Sequence, residues 1–166
     1  ALPALTAKKN VQLMEEFGVL TKTEMESRYE VEIEHYSKIL NIEALTMLEM
    51  ARKQLLPAVS EYMGVLAGTI SAKQAVSEKL RCKAETKALE SLSDDADAMS
   101  DAIDTLQAAV DTARAMSDET AKATYFHDSV IPAMDTLRAA ADAAEVLCGE
   151  EYWPLPSYSE MLYYVE

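Results

Sequence analysis

Apolar residues recur along this chain at the spacing of one helix face, and the first strong run follows a marked start. In Leu20-Thr21-Lys22-Thr23-Glu24-Met25, Thr21 can accept from the backbone while Glu24, three residues on, reaches back, and Leu20 can pack on Met25. From there Met25, Tyr29, Ile33, Tyr36 and Leu40 step at helical intervals, and Leu45, Leu48, Leu55, Val59, Tyr62 and Leu66 continue the stripe. The pattern predicts one very long helix or two end to end. Pro57 falls inside it, where loss of one backbone donor predicts a local kink rather than a break. Before this run, Pro3 to Phe17 reads as a short helix, with Gly18 where a helix end takes a left-handed residue.

Gly64 and Gly68 weaken the helix and Ser71 and Ser77 offer caps, so the chain is expected to reverse between Gly64 and Cys82. Leu89, Leu92, Ala96, Met99, Ile103, Leu106, Val110 and Ala113 then alternate steps of three and four. A seam of this kind faces a partner helix at a shallow angle. Ser117-Asp118-Glu119 predicts a turn and a new N-terminus with Ser117 as cap. Val130, Met134, Leu137, Ala141, Ala144 and Cys148 carry a last helix, with Pro132 near its start and Gly149 at its end. The fold class is therefore all-α: an antiparallel bundle of three to four long helices plus a short N-terminal helix. At 166 residues one domain is the expectation, with 1–20 a linker and short helix, 21–152 the bundle, and 153–166 an extended tail rich in aromatics and proline.

Composition agrees, with only 4 glycines and 5 prolines to punctuate the helices. The formal net charge of −14 argues against nucleic acid and anionic membrane surfaces, both of which select clustered Lys and Arg. No apolar run approaches the ~20 residues that span a bilayer. Cys82 and Cys148 have no metal-ligand spacing, which suits a reducing, cytoplasmic setting. Glu32-x-x-His35 has the spacing of di-iron bundles, but that chemistry needs the pair twice, and His127 has Thr124 three residues before it. The Asp94-Asp95-Ala96-Asp97 cluster lacks the Gly and distal Glu of a calcium loop and reads as solvated surface. The sequence shows no phosphate loop or nucleophile motif, so no catalytic, cofactor or metal residue is assigned. The methionines read as core filler.

Four stretches carry a family resemblance: GVLTKTEMESRYEV (Gly18 to Val31), NIEALTMLEMA (Asn41 to Ala51), QLLPA (Gln54 to Ala58) and WPLPSYSEML (Trp153 to Leu162). Together they resemble the C-terminal region of type III glutamine synthetases. Thr21, Met25, Leu55 and Ser157 stand where that family more often has Ser, Leu, Ile and Thr. The resemblance implies a longer parent enzyme that ligates ammonia to glutamate with ATP and Mg2+, whose catalytic core precedes Ala1. It implies a non-catalytic helical domain that contacts that core and helps build a double-ring homo-oligomer. Structural or interface candidates are Leu20, Thr21, Met25, Tyr29, Pro57, Trp153, Pro154 and Tyr158, with the last aromatics forming an apolar strap. The other class of function left open is a free-standing acidic adaptor or sensor for a basic protein, which a reading frame starting near Ala1 would favour.

Overall fold

The computed structural model describes residues 2–156 and 158–163, and every regular element among them is helical. A 3-10 turn at Leu2–Ala4 leads to α1, Lys8–Glu16. Its end is a Schellman closure: Gly18 has φ 65°, its N–H donates to Glu15 O at 3.0 Å, and the Val19 N–H donates to Met14 O at 2.9 Å. A residue with a Cβ would strain at that φ, and the sequence supplies glycine.

Helix α2, Lys22–Met50, begins as its sequence predicts. Thr21 N–H donates to Glu24 Oε2 at 2.8 Å while Thr21 Oγ1 accepts from Glu24 N at 3.3 Å, a reciprocal box that satisfies two end donors. Removing such a cap typically costs about 1 kcal/mol. Helix α3 follows at Leu56–Val76, α4 at Lys83–Ala115, α5 at Glu119–Tyr125, α6 at Ile131–Leu147 and α7 at Tyr158–Tyr163.

Both internal prolines sit just past a π turn. The first turn is Ala51–Leu55, closed by the Leu56 N–H on Ala51 O; the second is Phe126–Val130, closed by the Ile131 N–H on Phe126 O. Pro57 and Pro132 come next. In α geometry a proline ring collides with the carbonyl four residues back and leaves it without a donor. The wider i→i−5 turn draws the preceding carbonyls into another register, so the helix continues through the proline. The sequence predicts a disturbance rather than a break at Pro57, and what stands there is a π turn with the helix running on beyond it.

The described helices sort into two packing units. One comprises Ala1–Leu45 and Ala108–Pro132; its buried residues include Met25, Ile33, Leu40, Val110, Phe126 and Val130. Asp118, rather than the expected Ser117, caps α5 there, its carboxylate accepting from the Ala121 N–H at 2.7 Å. Either residue type caps well, and the helix starts one position later than the pattern suggests.

The other unit comprises Thr46–Gln107 and Ala133–Glu166. Its core holds Leu48, Leu55, Val59, Leu92, Met99, Leu106, Leu137 and Ala144. The reversal falls at residues 77–82, inside the expected interval, and Ser77 is the extended residue that ends α3. Lys73 pairs with Glu85 beside this turn, and Arg52 Nη1 donates to Gln107 Oε1 at 2.9 Å at the far end. Moving back along one strand of helix moves forward along the other, so these helices are antiparallel.

An 18-residue window within Lys22–Val76 reaches a mean hydropathy of 1.2, apolar enough by length and composition to cross a bilayer, and 22% of it is buried. No single apolar run marks this window, because the average gathers Gly, Ala and Ser around the larger apolar residues. Core helices of soluble proteins reach the same value.

Candidate functional site

In the first unit, four of the interface candidates lie on one short path. Leu20 is half-buried, Thr21 forms the cap, Met25 is buried at 2% exposure, and the Tyr29 hydroxyl lies 3.2 Å from Thr120 Oγ1. The backbone N–H of Thr21 holds the Glu24 carboxyl below the usual carboxylate range, with the Thr21 hydroxyl adding to it. Lys38 does the same to Glu34. This is the chemistry of a well-fixed helix start.

The second unit holds the more open arrangement, at the end of α6. Cys148 is buried, and burial pushes its thiol up, away from the reactive thiolate. Gly149 then lets the chain turn against aromatic rings: a Cβ there would lie 3.1 Å from the Tyr62 ring and 3.3 Å from the Tyr152 ring. Those two rings pack on each other with centroids 5.2 Å apart at 41°. The backbone N–H groups of Tyr152 and Trp153 donate back to Gly149 O at 2.8 and 3.2 Å. The sequence marks Gly149 as a helix end and Tyr62 as part of an apolar stripe, but neither their contact nor the part of Tyr152 is legible in it. A glycine just before an aromatic pair was the available signal.

Beyond this turn, Trp153 to Pro156 lack regular structure and α7 begins at Tyr158, so the extended end predicted for the tail is confined to the Trp-Pro-Leu-Pro segment. A proline in that position cannot extend a helix, but nothing prevents one starting after the second proline. Trp153, Pro154, Leu155 and Pro156 wall a cleft of about 450 Å³ with Glu145, Glu150 and Glu160 also lining it. Among the described residues the Trp153 Nε1–H, which is buried, has no hydrogen-bond partner. Pro57 does not line this cleft. The side chains of Tyr158 and Ser157 lie outside the described residues.

A magnesium–nucleotide complex needs converging carboxylates and a donor-rich loop. Among the described residues no group of three or more His, Cys, Asp or Glu side chains is placed to hold a metal ion, and Glu32 and His35 line a small groove with Leu2, Tyr36 and Ile39. These residues do not fit that group.

Residues 1–74 match the family described as the glutamine synthetase C-terminal domain. Across 98% of the chain the sequence is 35% identical to a glutamine synthetase of Butyrivibrio fibrisolvens. It is 26% identical, again over 98% of the chain, to the type-3 glutamine synthetase of Dictyostelium discoideum. The chain is thus similar to glutamine synthetases over nearly all of its own length, and its first 74 residues match the C-terminal domain of that family. It spans 23% of the length of each of these relatives. The similarity runs past residue 74 through α4, α6 and the Trp-Pro-Leu-Pro turn, so the second half of the domain, generic in its heptads, shares the same ancestry.

Proposed function

We propose that this domain is the helical C-terminal portion of a type III glutamine synthetase, and that it supports the architecture of that enzyme rather than its chemistry. The parent polypeptide ligates ammonia to glutamate in the cytoplasm, using ATP and Mg2+ held in a catalytic core outside these residues. The domain packs on that core and contributes to a double-ring homo-oligomer. The observation that carries this reading is similarity over 98% of the chain to two glutamine synthetases about four times its length.

The test is an assay of two proteins, the 166-residue chain and the product of its complete reading frame. ATP-dependent glutamine synthesis is expected from the second and not from the first. Turnover by the chain alone, or a reading frame without synthetase activity, overturns the proposal. Within the full-length enzyme, Trp153→Ala is expected to lower the melting temperature or reduce the assembled mass while leaving the chemical step intact. A buried aromatic ring contributes roughly 1.5–3 kcal/mol, and Trp153 is partly buried already.

A further inference from the structure

Helix α3 carries an apolar face that this chain leaves uncovered. Val65 and Val76, three turns apart on one flank of it, are 42% and 80% exposed. Beside them Ser60, Gly64, Gly68, Ser71 and Ala75 follow one another by steps of four, four, three and four, and all five are exposed. A Cβ at Gly64 or Gly68 would meet no atom within 4 Å. No charge occurs from Tyr62 to Ala72, in a chain of net charge −14. Glu61 precedes that stretch, and Lys73 after it is turned to Glu85 on α4. The Ser71 hydroxyl donates to Ala67 O at 3.0 Å within its own helix, so covering it strands no donor.

The same features select the occupant. A strand would bring free N–H and C=O groups, and the interior of α3 has no backbone group left to pair with them, whereas a helix bonds its own. Charged side chains laid on this surface would be desolvated without a counter-charge. The face measures about 30 Å by about 10 Å, on the order of 300 Å², from the dimensions of a helix. That is well short of the ~800 Å² that each partner of a stable free complex buries. A second copy of the chain would also bring its own charge of −14. A segment of the same polypeptide needs no such area, because the tether raises its effective concentration.

We infer that this face receives the uncharged, apolar side of a helix from outside residues 1–166 of the same polypeptide, a step that rests on the function proposed above. The length of the relatives supports a tethered source, since the chain spans 23% of each. The helix lies over Gly64 and Gly68, where missing side chains let two axes approach closely, and Val65 and Val76 pack along its flank.

The experiment places the photo-reactive residue p-benzoylphenylalanine at Val65 or, in a second protein, at Ala67, both exposed, in the full-length polypeptide. After irradiation the product is sized on a denaturing gel and mapped by mass spectrometry. The expected product keeps the mass of one subunit and joins α3 to an uncharged segment outside residues 1–166. In a Gly64→Leu/Gly68→Leu background that keeps wild-type helical circular dichroism, the yield falls about fivefold or more, the scale on which overfilling weakens a packed contact. Gly64→Ala/Gly68→Ala replaces it where the leucines lower the helical signal. A product at the mass of two subunits, adducts confined to residues 1–166, adducts to a charged segment, no adduct from either position, or a yield unchanged by the added side chains each overturn the inference. Synthetase activity measured on the same preparation separates the two readings. An active enzyme with no such adduct removes only the α3 contact, and an inactive full-length enzyme tells against the function proposed above.

Discussion

In α4 the apolar residues and the buried residues are nearly the same set, whereas in α3 they part company. Along α4, Leu92, Met99, Ile103, Leu106, Val110 and Ala113 are buried, and Asp94, Asp97, Asp101, Asp104 and Asp111 point to water. Along α3, Val59 and Leu66 are buried, but Val65 is 42% exposed, Val76 is 80% exposed, and no charge occurs from Met63 to Ala72. Gly64 and Gly68 are exposed one turn apart, with no atom within 4 Å of where a Cβ would stand. Helix α4 is thus explained by what this chain packs against it. The composition of α3 is not, because exposed apolar residues gain nothing from water and a helical glycine costs about 1 kcal/mol relative to alanine.

The largest effect expected from this difference comes from paired truncations. Leu106→Ala removes a side chain with no exposed surface and leaves a cavity, so urea denaturation of the 166-residue chain should show a loss of about 2–5 kcal/mol. Val65→Ala, on the exposed face of α3, should change stability by less than about 0.5 kcal/mol. Equal losses at the two positions would mean that α3 is as well covered as α4, and the contrast would fail.

How far the sequence foretold this arrangement follows from the same physics. The heptad seam was legible because burial on one side and carboxylates on the other leave a period that survives in one dimension. The Thr21 box and Gly18 were legible because caps are local, set by residues three or four positions apart. The π turns were hidden: Pro57 and Pro132 announce a disturbance, but Ala51–Leu55 and Phe126–Val130 share no residue pattern that says how the backbone absorbs it. The cleft was half legible. Trp153 and Pro154 stood out by composition, yet what fixes them is Gly149 lodged against Tyr62, a contact between residues far apart in the chain. Such a contact leaves no periodic trace.

A smaller effect, opposite in sign, sharpens the account of α3. Neither Gly64 nor Gly68 has a positive φ, and each has open space around it, so alanine fits both. Gly64→Ala and Gly68→Ala should each stabilise the isolated chain by about 0.5–1 kcal/mol, through a less flexible unfolded state and better helix propensity. Repeating the thermal melt in the full-length polypeptide gives the discriminating comparison. If the gain persists there, the glycines answer no steric need. If it becomes a loss, another backbone comes close enough to this face to exclude a methyl group.

The smallest effect concerns the ion pair that joins the two helices. Lys73 on α3 donates to Glu85 on α4, and the side chains are 42% and 20% exposed, so solvent screens the pair and its contribution is modest. The Glu85 carboxyl is held below the usual carboxylate range first by its hydrogen bond from Lys73, and the Lys73 ammonium is pushed up first by its bond to Glu85. The signs then oppose each other at the two ends of the pH scale. Glu85 has the lower value when folded, so its share is complete above the unfolded carboxyl value of about 4.3 and is lost as pH falls through the folded one. Lys73 has the higher value when folded, so its share is complete below the unfolded value of about 10.4 and is lost as pH rises through the folded one. The stability difference between wild type and Lys73→Met should therefore be flat from about pH 5 to 9 and should shrink on either side. A difference that stays constant into acid would show that the charge on Glu85 contributes nothing to holding α3 to α4 through Lys73.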